Sequence, residues 1–246
     1  QIIFLRESLI KDANGRPRAT WSNGIVEPRK NKYLIPTVLC LATASFSGQY
    51  VYSGWNTVLG LLGVDRYDLS SSTNGAVLGV QAVVVILINL VYLPITHYIA
   101  PALVGCVGHM LCTLLVIVPF IYNLYITVAL GMVLNVGCGL YFAGMAYFNS
   151  VVAPPKKRGL INSLVMSMAN LGGIFGPLLA GQLYDMDPEH RAYPFYMSAG
   201  VSVIGSTACL GIHRALLHAL SLLIPLEPAK SSSERAEAGE ENNYTR

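Results

Sequence analysis

Four polar residues, Ser45, Gln49, Tyr52 and Asn56, recur at steps of 4, 3 and 4, with Trp55 beside them. That spacing stacks side chains along one face of an α-helix. Gln and Asn carry both donors and acceptors, and Tyr and Trp add flat apolar faces. Such a row suits the holding of a small polar solute better than the breaking of a bond. A weaker row runs through Asn135, Gly139, Phe142, Ala146 and Asn149, and a third set comprises Gln81, Asn89 and Tyr92. All of these groups could instead serve as hydrogen bonds between helices, worth ~0.6 kcal/mol on average in a membrane. For Gln81, Asn89, Asn135 and Asn149 both readings stand.

The chemistry of an enzyme is missing from the same stretches. The five cysteines, Cys40, Cys106, Cys112, Cys138 and Cys209, are scattered singly, with no CxxC pair and no Cys/His spacing suited to zinc. His97 and His213 fall near the ends of apolar runs, where an imidazole reaches the headgroups. His109 sits nearer the middle of one, where an ionisable group is by default a functional candidate, although a neutral ring bonded to a neighbouring helix accounts for it equally. No nucleophile–base pair or metal cluster can be assembled, so neither an enzyme nor a bound cofactor or metal is expected.

The elements that position these residues follow from composition. Of the 246 residues 53% are hydrophobic and only 12% charged, about half the ~25% of ordinary soluble chains. Ten of the 29 charged residues precede Tyr33 and eight lie from Glu227 onward, leaving eleven for the 194 between. The net charge of +3, without a basic patch, excludes nucleic acid as a partner. Charge-free runs cover 33–64, 69–155, 159–184 and 192–213. A bilayer core takes roughly 20 apolar residues per helix, and the long second run is punctuated by Pro94, Pro101, Pro119 and Asn123, so it holds three helices. Six spans are therefore expected, at 34–62, 75–97, 101–121, 124–152, 159–184 and 193–213.

Lys and Arg residues set the orientation, because cytoplasmic loops carry the excess. With six spans, fourteen basic residues fall on the side of the two ends and only Arg66 and Arg191 on the other. Both ends are thus expected in the cytosol. Residues 1–32 read as the end of an earlier apolar element, Ile2-Ile3-Phe4-Leu5, followed by a polar linker. The chain opens on Gln1 without an initiating Met, as expected of a fragment. Ala215 to Leu226 is apolar but too short to cross, which predicts a segment lying along the membrane surface. Glu227 to Arg246, with five acids and three bases, lacks the apolar residues needed to order it. Asn243-Tyr244-Thr245 matches a glycosylation pattern but falls on the cytosolic side.

The fifth span is built differently. Ser163, Ser167, Asn170, Ile174, Pro177 and Gly181 share one face, and Gly172, Gly173 and Gly176 precede Pro177. Small residues let helix backbones approach closely, and a Gly-Pro step bends or loosens the helix. These residues predict a tightly packed interface helix with a kink or hinge. Gly75 and Gly79 give the second span a similar, weaker face.

The segment Val151-Val152-Ala153-Pro154-Pro155-Lys156-Lys157-Arg158-Gly159, followed by Asn170-Leu171-Gly172-Gly173-Ile174-Phe175-Gly176-Pro177 and ending at Tyr184-Asp185, resembles the tenth-to-eleventh-helix region of the major facilitator superfamily. There a short basic loop ending Arg-Gly precedes a helix with a Gly-Pro motif and a terminal Asp. By this resemblance Phe4-Leu5-Arg6-Glu7 is similar to the end of a sixth helix, residues 8–32 to the central linker, and the six spans to helices seven to twelve. The implied fold is all-α, one half of a two-half bundle, with each half a three-plus-three inverted repeat. The first and fourth spans would line the substrate path, and the second and fifth would meet the other half. One feature departs from the pattern: Leu93-Pro94-Ile95-Thr96-His97-Tyr98-Ile99-Ala100-Pro101 lacks the charges that the family often carries after the second helix of each half.

Together these readings predict three parts: 1–32, the end of a preceding helix and a cytosolic linker; 33–213, a six-helix transmembrane domain; and 214–246, a cytosolic tail. The expected function is secondary or facilitative transport of a small organic solute by alternating access. Its partners are the bilayer, the small-molecule substrate and a missing N-terminal half, or a second chain if the protein is truly half-size. Gln49, Tyr52, Trp55 and Asn56, with Asn135 and Tyr141 opposite, are the candidate substrate-binding residues. Gly172, Gly173, Gly176, Pro177 and Gly181 are the packing and hinge residues. The alternative is a six-helix membrane scaffold or receptor-like subunit that transports nothing.

Overall fold

The computed structural model describes residues 34–152, 157–186 and 191–223. Among them every element is helical: α1 (Leu34–Asp65), α2 (Ser71–Tyr98), α3 (Pro101–Cys112) continuing as a 3-10 segment (Thr113–Phe120), α4 (Leu124–Val152), α5 (Arg158–Met186) and α6 (Tyr193–Leu223). All six are long and apolar enough to cross a membrane. The linker 1–32 and the tail beyond Leu223 lie outside the described residues, as do Pro154, Pro155 and Lys156 of the basic loop.

Local chemistry sets the ends. The Ser70 hydroxyl accepts the Thr73 N–H at 3.2 Å and opens α2. Pro101 opens α3, where its missing N–H costs nothing. Asn123 Oδ1 accepts the N–H groups of Tyr125 (2.9 Å) and Ile126 (3.3 Å) and opens α4. The third span differs from the expected single α-helix in its last eight residues. Pro119 has no N–H to bond one α-turn back, and the segment tightens to 3-10. A 3-10 helix rises about 2.0 Å per residue against about 1.5 Å for an α-helix, so this short span still reaches across a bilayer core. The sixth span also differs. Its helix runs on to Leu223 instead of ending at His213, so the first nine residues of the expected surface segment continue α6. Nothing between Gly211 and Pro225 breaks a helix, and the Ala and Leu residues there favour one.

The helices pair as a pseudo-symmetric set. α1 packs on α5 and α6, while α4 packs on α2 and α3, and α3 meets α6. Exchanging α1–α3 for α4–α6 leaves this pattern unchanged, as an inverted three-plus-three repeat requires. The fold is therefore an all-α six-helix bundle of three-plus-three pattern, with α2 and α5 outermost. In their most apolar stretches only 11% and 22% of residues are buried, against half or more in the other four.

Glycine sets how close the pairs come. A Cβ at Gly172 would strike the Phe46 carbonyl oxygen and lie 3.0 Å from Tyr50 N, and one at Gly176 would strike the Tyr50 carbonyl oxygen. Gly54 faces the Gly176 oxygen from the other side, so α1 and α5 touch backbone to backbone. Gly108 and Gly137 bring α3 and α4 together in the same way. Pro177 interrupts none of this, since α5 continues through it. Around Gly75, Gly79 and Gly181 there is open space instead.

At the end of α1 remote from Leu34, two arginines tie loops to helix ends. Arg191, with φ of 55°, pairs with Asp65 (3.6 Å) and Asp185 (3.8 Å), donates to the Tyr184 carbonyl (3.0 Å) and covers the Tyr184 ring. Arg66 donates to the carbonyls of Pro119 and Ile121 across the α3–α4 turn.

Gly172→Ala forces a methyl group into the α1–α5 seam, and overpacking of that kind costs about 1–3 kcal/mol. A clear drop in the melting temperature of the purified full-length protein is expected. Gly181→Ala, whose methyl meets open space, serves as the control and leaves the temperature unchanged or slightly raised. Equal effects at the two sites would contradict the close seam.

Candidate functional site

The structure divides the six candidate substrate residues into two sets. Trp55, Gln81 and Asn135 are each only 1% exposed and form one buried knot between α1, α2 and α4. Trp55 Nε1 and Asn135 Nδ2 both donate to Gln81 Oε1 at 2.9 Å, and Asn135 Nδ2 also donates to the Gly131 carbonyl at 2.7 Å. Indole N–H can only donate and a backbone carbonyl can only accept, so both amide orientations are fixed. Gly131 makes the room, because a Cβ there would strike Gln81 Nε2 and lie 2.6 Å from the Trp55 ring. Within the knot Gln81 Nε2 and Asn135 Oδ1 remain without protein partners. Tyr141 is likewise buried, with its ring seated on Gly48, 4.7 Å from the His109 ring and 5.1 Å from Phe142.

Gln49, Tyr52 and Asn56 are different. They are half-buried on α1, where Tyr52 meets α4 and Gln49 meets α5. Tyr52 packs edge-on against Phe142 of α4 at 5.4 Å, and Gln49 lies over Gly173 of α5, 3.3 Å from where a Cβ would be. The side-chain amides of Gln49 and Asn56 have no partner among the described residues. Gln49 is the sixteenth of the 32 residues of α1, at mid-depth of a helix long enough to cross a bilayer. Gly173 provides the contact with α5, whereas Gly172, Gly176 and Ala180 form the buried seam.

The second row of polar residues divides in the same way. Asn135 belongs to the knot, Gly139 seats Ile88 of α2, Phe142 faces Tyr52, Ala146 is exposed, and the side chain of Asn149 lies outside the described set. Asn89 is exposed and donates to the Val85 carbonyl one turn back at 2.8 Å, while Tyr92 is buried with its hydroxyl unpaired. His109 is 1% exposed, hydrogen-bonded to the Ala44 backbone and seated on Gly205 of α6, with Nε2 unpaired. The side chain of His97 is not described, and His213 is half-buried near the far end of α6.

Periodicity missed the role of the glycines. Gly48, Gly131, Gly173 and Gly205 are seats for Tyr141, Gln81, Gln49 and His109 on other helices. So is Gly63 for Asn74, which also donates to the Gly60 carbonyl at 2.8 Å and joins α2 to α1. No spacing within one helix marks such a glycine, since its partner lies far away in sequence. No group of three or more potential metal ligands comes together among the described residues.

Gln81→Leu is expected to cost about 1–3 kcal/mol, because it strands the Trp55 N–H and one Asn135 donor in an apolar interior. Asn89→Leu, on an exposed face, should stay within about 0.5 kcal/mol of the parent. Thermal unfolding of the two purified variants compares them, and similar losses would dissolve the knot as a stabilising element.

The protein-family model described as Major Facilitator Superfamily matches residues 98–243, more than half of the chain. No curated protein matches the sequence.

Proposed function

Because the chain belongs to the Major Facilitator Superfamily, a family of membrane transporters and not of enzymes, we propose that it carries a small organic solute by alternating access, as one six-helix half of a two-half carrier. The protein is an integral, multi-pass membrane protein. The observation that carries the proposal is the row Gln49, Tyr52 and Asn56. Two unpaired amides and a tyrosine lie on one face at membrane depth, where unsatisfied polar groups are costly unless water or a ligand meets them. In this reading Gln49 and Asn56 exchange hydrogen bonds with the solute and Tyr52 stacks on it. Trp55, Asn135 and Tyr141 support that wall from behind, the first two through Gln81.

The second half, on the same polypeptide or on another chain, covers the bundle on the side of α2 and α5, the two helices least buried here. Both ends of the described bundle face the cytosol, as the distribution of basic residues favours. Arg66 and Arg191 are then on the opposite side, where both are used to fasten helix ends. Among the described residues no acid lies at membrane depth; Asp65 and Asp185 are at helix ends and Asp68 is in the loop between α1 and α2. Any coupling acid therefore belongs to the second half, unless transport is facilitative.

Uptake or efflux by the full-length protein tests the assignment. Gln49→Ala and Asn56→Ala each remove a hydrogen bond worth about 0.5–1.5 kcal/mol, so KM is expected to rise roughly threefold to tenfold with normal expression. Unchanged kinetic constants would remove these residues from the site.

A further inference from the structure

α3 and α4 meet without side chains between them at one level. A Cβ at Gly108 would strike the Gly137 carbonyl oxygen, and one at Gly137 would strike the Gly108 oxygen and lie 3.2 Å from Cys112 Sγ. Cys112 follows Gly108 by about one helical turn and Cys138 follows Gly137 directly, so both thiols fall on this seam. Their sulfurs are 3.8 Å apart, and the residues are only 3% and 1% exposed. The Cys112 S–H donates to the Leu134 carbonyl at 3.9 Å, which leaves the Cys112 sulfur to accept the Cys138 S–H. The other three cysteines have different neighbours. Cys106 bonds the Ser206 hydroxyl at 3.0 Å, Cys209 packs on Gly105, and Cys40 packs on Gly211.

Helix axes usually pack about 8–10 Å apart, which holds opposed Cα atoms beyond the reach of a disulfide. Helices in backbone contact, as these are, come within that reach. The two sulfurs then need to close only from 3.8 Å to a bond of about 2.0 Å. We propose that Cys112 and Cys138 form an oxidisable dithiol, which a lipid-soluble hydroperoxide converts to a disulfide that clamps the first three-helix repeat to the second. Cys112 is the twelfth of the 20 residues of the third span and Cys138 the fifteenth of the 29 of α4, so the site lies at mid-depth, among apolar helices. An oxidant that partitions into the acyl chains suits that position better than one confined to water. One thiol sulfur attacks the peroxide oxygen, the O–O bond breaks, and the alcohol leaves with the thiol proton, giving a sulfenic acid. The second sulfur attacks the sulfenic sulfur, and water leaves with the second proton. Two thiols and one hydroperoxide thus give one disulfide, one alcohol and one water. The bond spans 26 residues across the α3–α4 turn, and such a cross-link restricts the unfolded chain. The proposal stands apart from the transport reading, since it concerns the joint between the repeats and not the solute.

The test uses the full-length protein in its membrane, treated with cumene hydroperoxide at a dose that oxidises Met110, an exposed residue on the same helix two positions before Cys112. Met110 sulfoxide shows that the reagent has reached this helix. Free thiols are then blocked in denaturant, and the peptides are compared by mass spectrometry with and without a reductant. The Cys112–Cys138 link is expected at least about tenfold above any other cysteine pair. The melting temperature of the oxidised protein should rise by several degrees and return on reduction, with no such rise in Cys138→Ala. Two free thiols beside an oxidised Met110 overturn the proposal, as does either cysteine joined to a different one. A Cys112–Cys138 link that leaves the melting temperature unchanged overturns the clamp. The first readout needs no substituted protein, so poor folding of Cys138→Ala does not blunt it.

Discussion

A polar side chain inside a bilayer must find a hydrogen-bond partner, because lipid supplies none and the cost of going without is several kcal/mol on the scale of ~5–15 kcal/mol that holds a domain together. The bundle answers this demand in three ways. Ser53 and Asn89 bond the carbonyl one turn back on their own helices. Trp55, Gln81 and Asn135 bond one another across three helices. Gln49 and Asn56 on α1, and Asn170 on α5, do neither. The first two groups hold the structure together, and the third has no side-chain partner among the described residues.

Glycine makes this division possible. Direct backbone contact at Gly54, Gly172 and Gly176 fixes the spacing of α1 and α5, and with it the distance between Gln49 and Gly173. The matching pair, α4 and α2, uses Gly131 and Gly139 to admit Gln81 and Ile88. Related positions in the two repeats thus do different work. In one repeat the glycine contact leaves an amide facing outward, and in the other it draws an amide into the interior. At the ends of the helices Arg191 and Arg66 close the loops over these seams, so the framework around the α1 face is braced at one end and packed without side chains at its middle.

Much of this architecture was legible in the sequence because charge is so expensive in lipid. The six spans fall between charged or proline-bearing segments, and most of their ends were expected within a few residues of where the helices stop. The exceptions have local causes. Pro119 tightens the end of the third span, and the Ala- and Leu-rich stretch after Arg214 continues α6 instead of turning along the surface. Periodicity also found the row through Gln49, Tyr52 and Asn56. It did not separate Trp55 from that row, although the indole turns inward to Gln81. A repeat along one helix says which residues share a face, but not which helix that face meets. The meeting is decided by glycines such as Gly131 and Gly48, whose partners lie about 50 to 90 residues away.

Alternating access places mid-depth residues of α1 in water on each side of the membrane in turn. The most direct measurement is the reaction of Gln49→Cys with an impermeant thiol reagent, in right-side-out and in inside-out vesicles of the full-length protein. Alternating access predicts reaction from both sides, with each rate changing in opposite directions as a transported solute is added to one side. Reaction from one side only, or from neither, in a correctly folded protein would contradict a transport path along this face.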